Sequence, residues 1–241
     1  MTAVLRHPRA ALVLLLATGA LAPAAHAQKA GDDIVGFGVA SINPNASIGT
    51  LTSVGPAAVP FNAATAGATA SIGAETTLSL GWLHMVNNSL GVEGTIGIPP
   101  KLTVDVGLAG GPQPAAATAR ALTPTLIGKY FFSMPGDTVR PYLGLGVTYA
   151  KFSSVRANTA SPLVNSLAGG SASLSSEWAP VFNGGLVYNI NDRWSINASV
   201  TYIPLKTTAT FAGAEVGTGT TTTGKLKINP TDYVVRVGYR F

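Results

Sequence analysis

Few residue sets in this sequence can do chemistry. Three histidines, ten acids and no cysteine are spread over 241 residues. A Ser–His–acid site needs a histidine oriented by a carboxylate and within reach of a hydroxyl. His7 and His26 lie in a leader-like segment, which leaves His84. Its neighbours are Asn87, Asn88 and Ser89, with no acid among them, so it reads as a polar turn residue. One histidine and no cysteine cannot build a zinc site. Asp32-Asp33 is a pair that can touch calcium, but adjacent acids at this place read as solvated. Gly36-Phe37-Gly38 and Gly144-Leu145-Gly146 look like pieces of phosphate loops. They lack the strand–turn–helix setting and the following Lys-Ser/Thr, and inside strands glycine allows curvature and close packing instead. No catalytic residue, metal or cofactor is expected.

The elements that position the remaining charges are strands. Residues 232–241 read DYVVRVGYRF. Tyr233, Val235, Val237, Tyr239 and Phe241 fall on one face, and Asp232, Arg236 and Arg240 on the other, because side chains alternate along a strand. A face with three aromatics is a liability at the edge of a water-soluble sheet, and arginines do not suit a core. Lipid outside and a polar lumen inside satisfy both faces. Trp194, Ile196, Ala198, Val200 and Tyr202 repeat the pattern, with an aromatic at each end as interfacial girdles require.

Eight segments show this chemistry: Asp33–Ala40, Ala74–Leu83, Leu90–Ile98, Leu122–Phe132, Arg140–Lys151, Glu177–Asn189, Arg193–Ile203 and Lys227–Phe241. The gaps between them alternate long and short. Ser41–Gly73, Pro99–Ala121, Phe152–Ser176 and Pro204–Leu226 are long and rich in Ala, Gly, Ser, Thr and Pro, and read as mobile loops. His84–Ser89, Ser133–Val139 and Ile190–Asp192 are short and hold turn residues such as Pro135-Gly136-Asp137. The expected fold is all-β: an eight-stranded antiparallel transmembrane β-barrel with long extracellular loops and short periplasmic turns.

Residues 1–27 read as a secretory signal, with a basic start at Arg6 and Arg9, an apolar run over Ala10–Ala22 and the small-x-small pattern Ala25-His26-Ala27. The run is shorter than the roughly 20 residues a spanning helix needs. Cleavage before Gln28 leaves a single barrel domain, 28–241, for the outer membrane. Its loss of Arg6 and Arg9 lowers the net charge from +5 to +3, too mild for a nucleic-acid partner. Charged residues make up 10% of the chain, against about 25% in a typical soluble domain.

Eight strands enclose an interior wide enough only for side chains or one small ligand. On the inward parity lie Glu93, Lys129, Asn183, Asn189, Asn197, Arg236 and Arg240. Charges in a tight lumen should be paired. Counting from the periplasmic ends predicts a Glu93–Lys129 cross-strand pair that plugs the lower lumen, with Arg236 needing an acid such as Glu93.

Several local motifs occur in a specific order. Leu122-Thr123-Pro124-Thr125-Leu126 precedes Tyr130-Phe131-Phe132. Arg140-Pro141-Tyr142-Leu143-Gly144 follows with Gly146 and Tyr149, then Asn191-Asp192-Arg193-Trp194, then Gly238-Tyr239-Arg240-Phe241. In this order the chain resembles the OmpW family of small outer-membrane barrels, from which its long, Ala-rich first loop departs. The resemblance implies passage of small hydrophobic solutes from an apolar funnel near the outer surface, with a sideways exit into membrane lipid as one route. Pro99, Pro100, Pro124, Pro180, Pro204 and Pro230 gather at the loop ends of the strands, where each removes a ladder donor. Ala57, Ala58, Val59, Phe61, Leu163, Val164 and Leu167 are candidates to line the mouth. Tyr239 and Phe241 resemble the terminal signal read by barrel-assembly machinery. Two other readings stay open. One is a closed structural or receptor barrel whose loops bind a surface partner. The other is a lipid-modifying barrel enzyme, which the histidine count disfavours.

Overall fold

The structure, a computed structural model, describes residues 28–241. The leader expected over residues 1–27 lies outside the described residues. In chain order the elements are β1 (Asp33–Asn43), β2 (Ser47–Ile48), β3 (Thr52–Val54), α1 (Ala58–Ala64), β4 (Thr69–Ile72), β5 (Glu75–Met85), β6 (Leu90–Gly97), β7 (Lys101–Leu108) and β8 (Gly111–Leu122). There follow β9 (Thr125–Phe131), β10 (Val139–Ala157), α2 (Pro162–Ala168), β11 (Ser171–Leu174), β12 (Glu177–Asn189), β13 (Trp194–Tyr202), β14 (Lys206–Ala212), a 3-10 turn at Glu215–Gly217, β15 (Thr221–Lys227) and β16 (Thr231–Arg240).

Eight of these strands close a ring, β1–β5–β6–β9–β10–β12–β13–β16 and back to β1, every pair antiparallel. Closure matters because lipid offers no partner for a free backbone N–H or C=O. The seam runs from Ile34 opposite Arg240 to Asn43 opposite Thr231. Gly38 sits where a Cβ would strike the backbone at Val235 and Arg236, so the close approach of β1 and β16 requires glycine there.

Outward positions are apolar and exposed: Phe37, Leu80, Leu126, Leu143, Val200 and Val235 among them. Aromatics ring both ends. Near the short turns Trp194 packs on Tyr239 at 4.9 Å and Tyr239 on Phe241 at 5.1 Å, and near the long loops Tyr149 packs on Trp178 at 5.0 Å.

The long connections are built, not loose. β4, β7 and β8 join the upper end of β10 in one sheet wall. β11, β14, β15 and β2 form a second sheet, with β3 also on β15. This corrects the mobile-loop reading, and the reason is chemical. Lys101–Leu108 carries Leu102, Val104, Val106 and Leu108 on one parity but lies in a gap bounded by Pro99, Pro100 and Pro112, and Thr221–Lys227 offers mostly Thr, Lys and Gly; each turns one parity inward. Two strand starts are corrected as well. Leu122 ends β8 and Lys227 ends β15, because Pro124 and Pro230 interrupt the ladders before β9 and β16.

A candidate functional site: an apolar chamber over a charged plug

The two extracellular sheets face each other across an apolar interior. Their inward parities supply Leu102, Val104, Ala119 and Phe152 from one side and Ala209, Phe211, Thr222 and Leu226 from the other. Between them lies a chamber of about 100 Å³, with Leu51, Val104, Val164, Leu167, Phe211 and Leu226 in its lining. α1 and α2 cover it. Ser161 caps α2, its Oγ accepting from Val164 N, and Pro162 fits the first turn. Of the mouth residues expected from sequence, Val164 and Leu167 line the chamber, and Phe61 is buried beside it. Val59 is corrected: it stands 83% exposed, because it occupies the solvent side of a short helix whose buried side is Phe61.

Below the chamber a packed floor of Ile127, Val181, Ile203, Leu205 and Ile228 crosses the upper lumen. Beneath it is a smaller polar cavity of about 70 Å³, walled by Ser79, Thr95, Thr125, Asn183 and Thr201, with Glu93 and Arg236 at its base. Asn183 Nδ2 donates to Thr201 Oγ1 at 2.9 Å.

At the base, Glu93 is shared by two cations. Lys129 Nζ donates to Oε2 at 2.5 Å and Arg236 Nη1 to Oε1 at 2.9 Å. Arg236 also donates to Ser79 Oγ from Nε and Nη2, at 3.0 and 2.7 Å. Gly36 and Gly81 leave room for its guanidinium, since a Cβ on Gly81 would lie 3.0 Å from Nη1. Lys129 Nζ sits 4.4 Å from the centroid of the Tyr142 ring, and Asn197 Nδ2 donates to the Tyr142 hydroxyl at 3.1 Å. The structure thus gathers Glu93, Lys129, Arg236 and Asn197 into one layer, with Asn183 bordering the cavity above.

A second layer, which sequence reasoning missed, closes the periplasmic end. Ile34, Leu83, Met85, Phe131, Tyr142 and Val187 pack together. Among them Arg140 is fully buried. Its Nη1 donates to Gln28 O at 2.5 Å and its Nη2 to Asn88 O at 2.6 Å, with the guanidinium 4.8 Å over the Phe131 ring. Gln28 is itself buried, at a φ of 63°. Gly31 N donates to Met85 O, and Arg240 donates to Asp32 Oδ2 at 2.9 Å. The segment 28–32 is thereby laced across the barrel's lower end. Asp32 is buried in a pair rather than solvated, which corrects the sequence expectation.

His84 also needs correction. The register of β1 on β5 places Asp33 opposite it, and Asp33 Oδ1 lies 2.9 Å from His84 Nδ1 while accepting from Trp82 Nε1 at 3.0 Å. The acid is 51 residues away in sequence, so its absence from the neighbourhood of His84 was a poor guide. Among the described residues no hydroxyl hydrogen-bonds to His84, and the trio stands at the lipid–periplasm rim.

One wall seam is short. β6 and β9 pair only from Leu90–Tyr130 to Thr95–Thr125. Above that rung the facing segments carry Pro99, Pro100 and Pro124 and do not pair with each other. A lipid-side groove lies there, lined by Ile96, Pro124, Leu126, Tyr149 and Trp178. Thr95, Ile96 and Thr125 line both this groove and the polar lumen cavity. A similar gap opens above Phe182–Tyr202, where β13 turns away at Pro204 and β12 continues through Pro180.

The OmpW family profile matches residues 29–241. Outer membrane protein W of Vibrio cholerae serotype O1 is 31% identical over 218 residues, 89% of this chain and 91% of that protein. Outer membrane protein AlkL of Ectopseudomonas oleovorans is 25% identical over 204 residues, 83% of this chain and 78% of that protein. The crystal structure of OprG from Pseudomonas aeruginosa superimposes with a TM-score of 0.78 at 25% identity, covering 90% of this chain and 99% of that one. The eight-stranded ring and the order of motifs along it therefore have one source: this outer-membrane β-barrel belongs to the OmpW family.

Proposed function

We propose that the barrel passively admits small hydrophobic compounds through its extracellular chamber and releases them sideways into the membrane. The observation that carries this reading is the order of the compartments. An apolar chamber lies outermost, and a buried ion-pair layer and the Arg140 layer lie below it. A hydrophobic solute gains about 25 cal/mol for each Å² of apolar surface it buries in the chamber. Going straight down, it would have to strip the partners from buried charges. The unpaired rungs beside Pro124 are the softer way out. A chamber of about 100 Å³ is on the order of cavities that hold one benzene-sized molecule, so the substrates are small unless the cap moves. We further propose that Tyr239 and Phe241, on the outward face of the closing strand, serve as the assembly signal.

The test is uptake of a radiolabelled short alkane or alkylbenzene by cells that lack the protein or carry it. Saturable uptake restored by the wild type but not by Leu226→Glu, with equal amounts of folded barrel, supports the reading. Equal uptake with and without the protein overturns it and leaves the closed receptor barrel as the better account.

A further inference from the structure

Among the described residues, every ion pair lies in the lumen or at the periplasmic end. The extracellular cations are arranged differently. Lys101 and Arg120 face each other directly across β7 and β8, and Lys151 lies diagonal to Arg120 on β10. On the second sheet Lys206 faces Lys227 directly, with Lys225 two residues along β15. All six are exposed. Their strand neighbours Leu102, Ala119, Phe152, Thr207 and Leu226 are buried toward the chamber, so the cations stand on the outer faces of both sheets.

Like charges directly opposite on paired strands repel. Two such pairs stand on these sheets among the described residues, with no carboxylate between the members of either. Arg120 donates to Pro99 O and Lys225 to Thr208 Oγ1, both neutral groups. Of the nearby acids, Asp105 accepts from Ala115 N, Glu177 from Ser175 Oγ and Glu215 from Asn165 Nδ2, while Glu75, which the registers of β4 on β7 and β5 on β6 bring level with Lys101, forms no ion pair with it.

The height of the cations is the second observation. Lys151 lies two residues beyond girdle residue Tyr149, Lys206 four beyond Tyr202, and Lys101 three beyond the exposed Ile98. At about 3.3 Å per strand residue on strands tilted by about 40°, they stand roughly 5–10 Å above the apolar belt. That range covers the outer part of the headgroup layer, which adds about 5–8 Å on each side of a bilayer core. Prolines 99, 100 and 204 immediately precede the cationic rungs.

We propose that these two clusters form a belt that binds the phosphates of the phosphorylated glycolipid of the outer leaflet. One phosphate bridging each like-charge pair converts the repulsion into two charge-assisted contacts. Such binding would fix the barrel's depth and hold acyl chains beside the β6–β9 seam, and it does not depend on solute uptake.

The purified, folded protein in neutral detergent is titrated with three probes: diphosphorylated lipid A, the same lipid with both phosphates removed, and inorganic pyrophosphate. Bound species are read by native mass spectrometry. Wild type retains the diphosphorylated lipid, and Lys101→Gln/Arg120→Gln and Lys206→Gln/Lys227→Gln each weaken it by about 30-fold, as loss of two cations near an anionic surface implies. Lys206→Arg/Lys227→Arg keeps wild-type binding. Unchanged affinity in both glutamine variants, or equal retention of the dephosphorylated lipid by wild type, overturns the proposal. Pyrophosphate binding as tightly as the lipid reassigns the belt to free anions and also overturns it. The comparison of lipids on wild type decides the matter even where a variant does not fold.

Discussion

Glu93 is the residue on which the lumen turns. It gives both Lys129 and Arg236, each buried, their one carboxylate partner among the described residues. Removing one partner of a buried pair costs about 3–5 kcal/mol because a charge is left uncompensated. Glu93→Ala strands two cations at once and is expected to lose at least that much in urea unfolding from bilayers, whereas Glu93→Gln keeps an acceptor and loses less. Lys129→Ala leaves Arg236 to hold the carboxylate and should fall between wild type and Glu93→Ala. Equal midpoints for Glu93→Ala and wild type would show that the pair does not hold the lower lumen together. These residues were legible in the sequence because parity within a strand is local: once the outward face is known, Glu93 and Arg236 have nowhere else to point. Arg140 was not legible. Its acceptors are the backbone of Gln28, 112 residues away and in no strand, and of Asn88 and Ser133 in turns. No periodicity marks such contacts.

At the scale of elements, strand existence was readable and strand function in the loops was not. The eight wall strands carry bulky apolar residues at every second position, so their alternation has high contrast. β8, β14 and β15 are mostly Thr, Ala and Gly, a contrast low enough to resemble a linker, whereas β7 alternates Leu102, Val104, Val106 and Leu108 with polar residues and Gly and was readable, but for the prolines on either side of it. Their order comes from packing across the chamber rather than from propensity. The elements also set the exit. Thr95 and Thr125 form the last paired rung of β6 on β9, and the chain has no cysteine, so Thr95→Cys/Thr125→Cys introduces a single possible disulfide. Opposed residues in an antiparallel pair lie within the Cα range a disulfide spans. Oxidation should pin the seam and cut solute uptake several-fold, and reductant should restore it. Uptake indifferent to the redox state would place the exit elsewhere, the gap above Phe182–Tyr202 being the next to test.

At the scale of the whole molecule, two polar barriers stand in series below the chamber and its packed apolar floor. The upper is electrostatic, the Glu93–Lys129–Arg236 layer. The lower is the Arg140 layer, where the segment 28–32 is tied to the barrel floor through Gln28, Gly31 and Asp32. The two layers meet at Tyr142, which touches Lys129 above and Phe131 below, and across a small cavity lined by Gln28, Leu83, Glu93 and Arg236. Wild-type protein in a planar bilayer is therefore expected to show no steady ion conductance, although it passes apolar solutes. Arg140→Ala removes the Gln28 tie and the buried guanidinium but leaves the ion pairs, and Lys129→Ala loosens the ion pairs but leaves the Arg140 layer. In an Ile127→Ala background that opens the apolar floor, both single variants should stay near the baseline, and only Lys129→Ala/Arg140→Ala should open discrete conducting steps. Their energies need not add through Tyr142, because groups that share a partner couple. Single-channel recording distinguishes the arrangements. If Arg140→Ala alone conducts as well as the double variant, the ion-pair layer is no barrier. If wild type itself conducts steadily, the lumen is a water path, and the sideways route loses its physical reason.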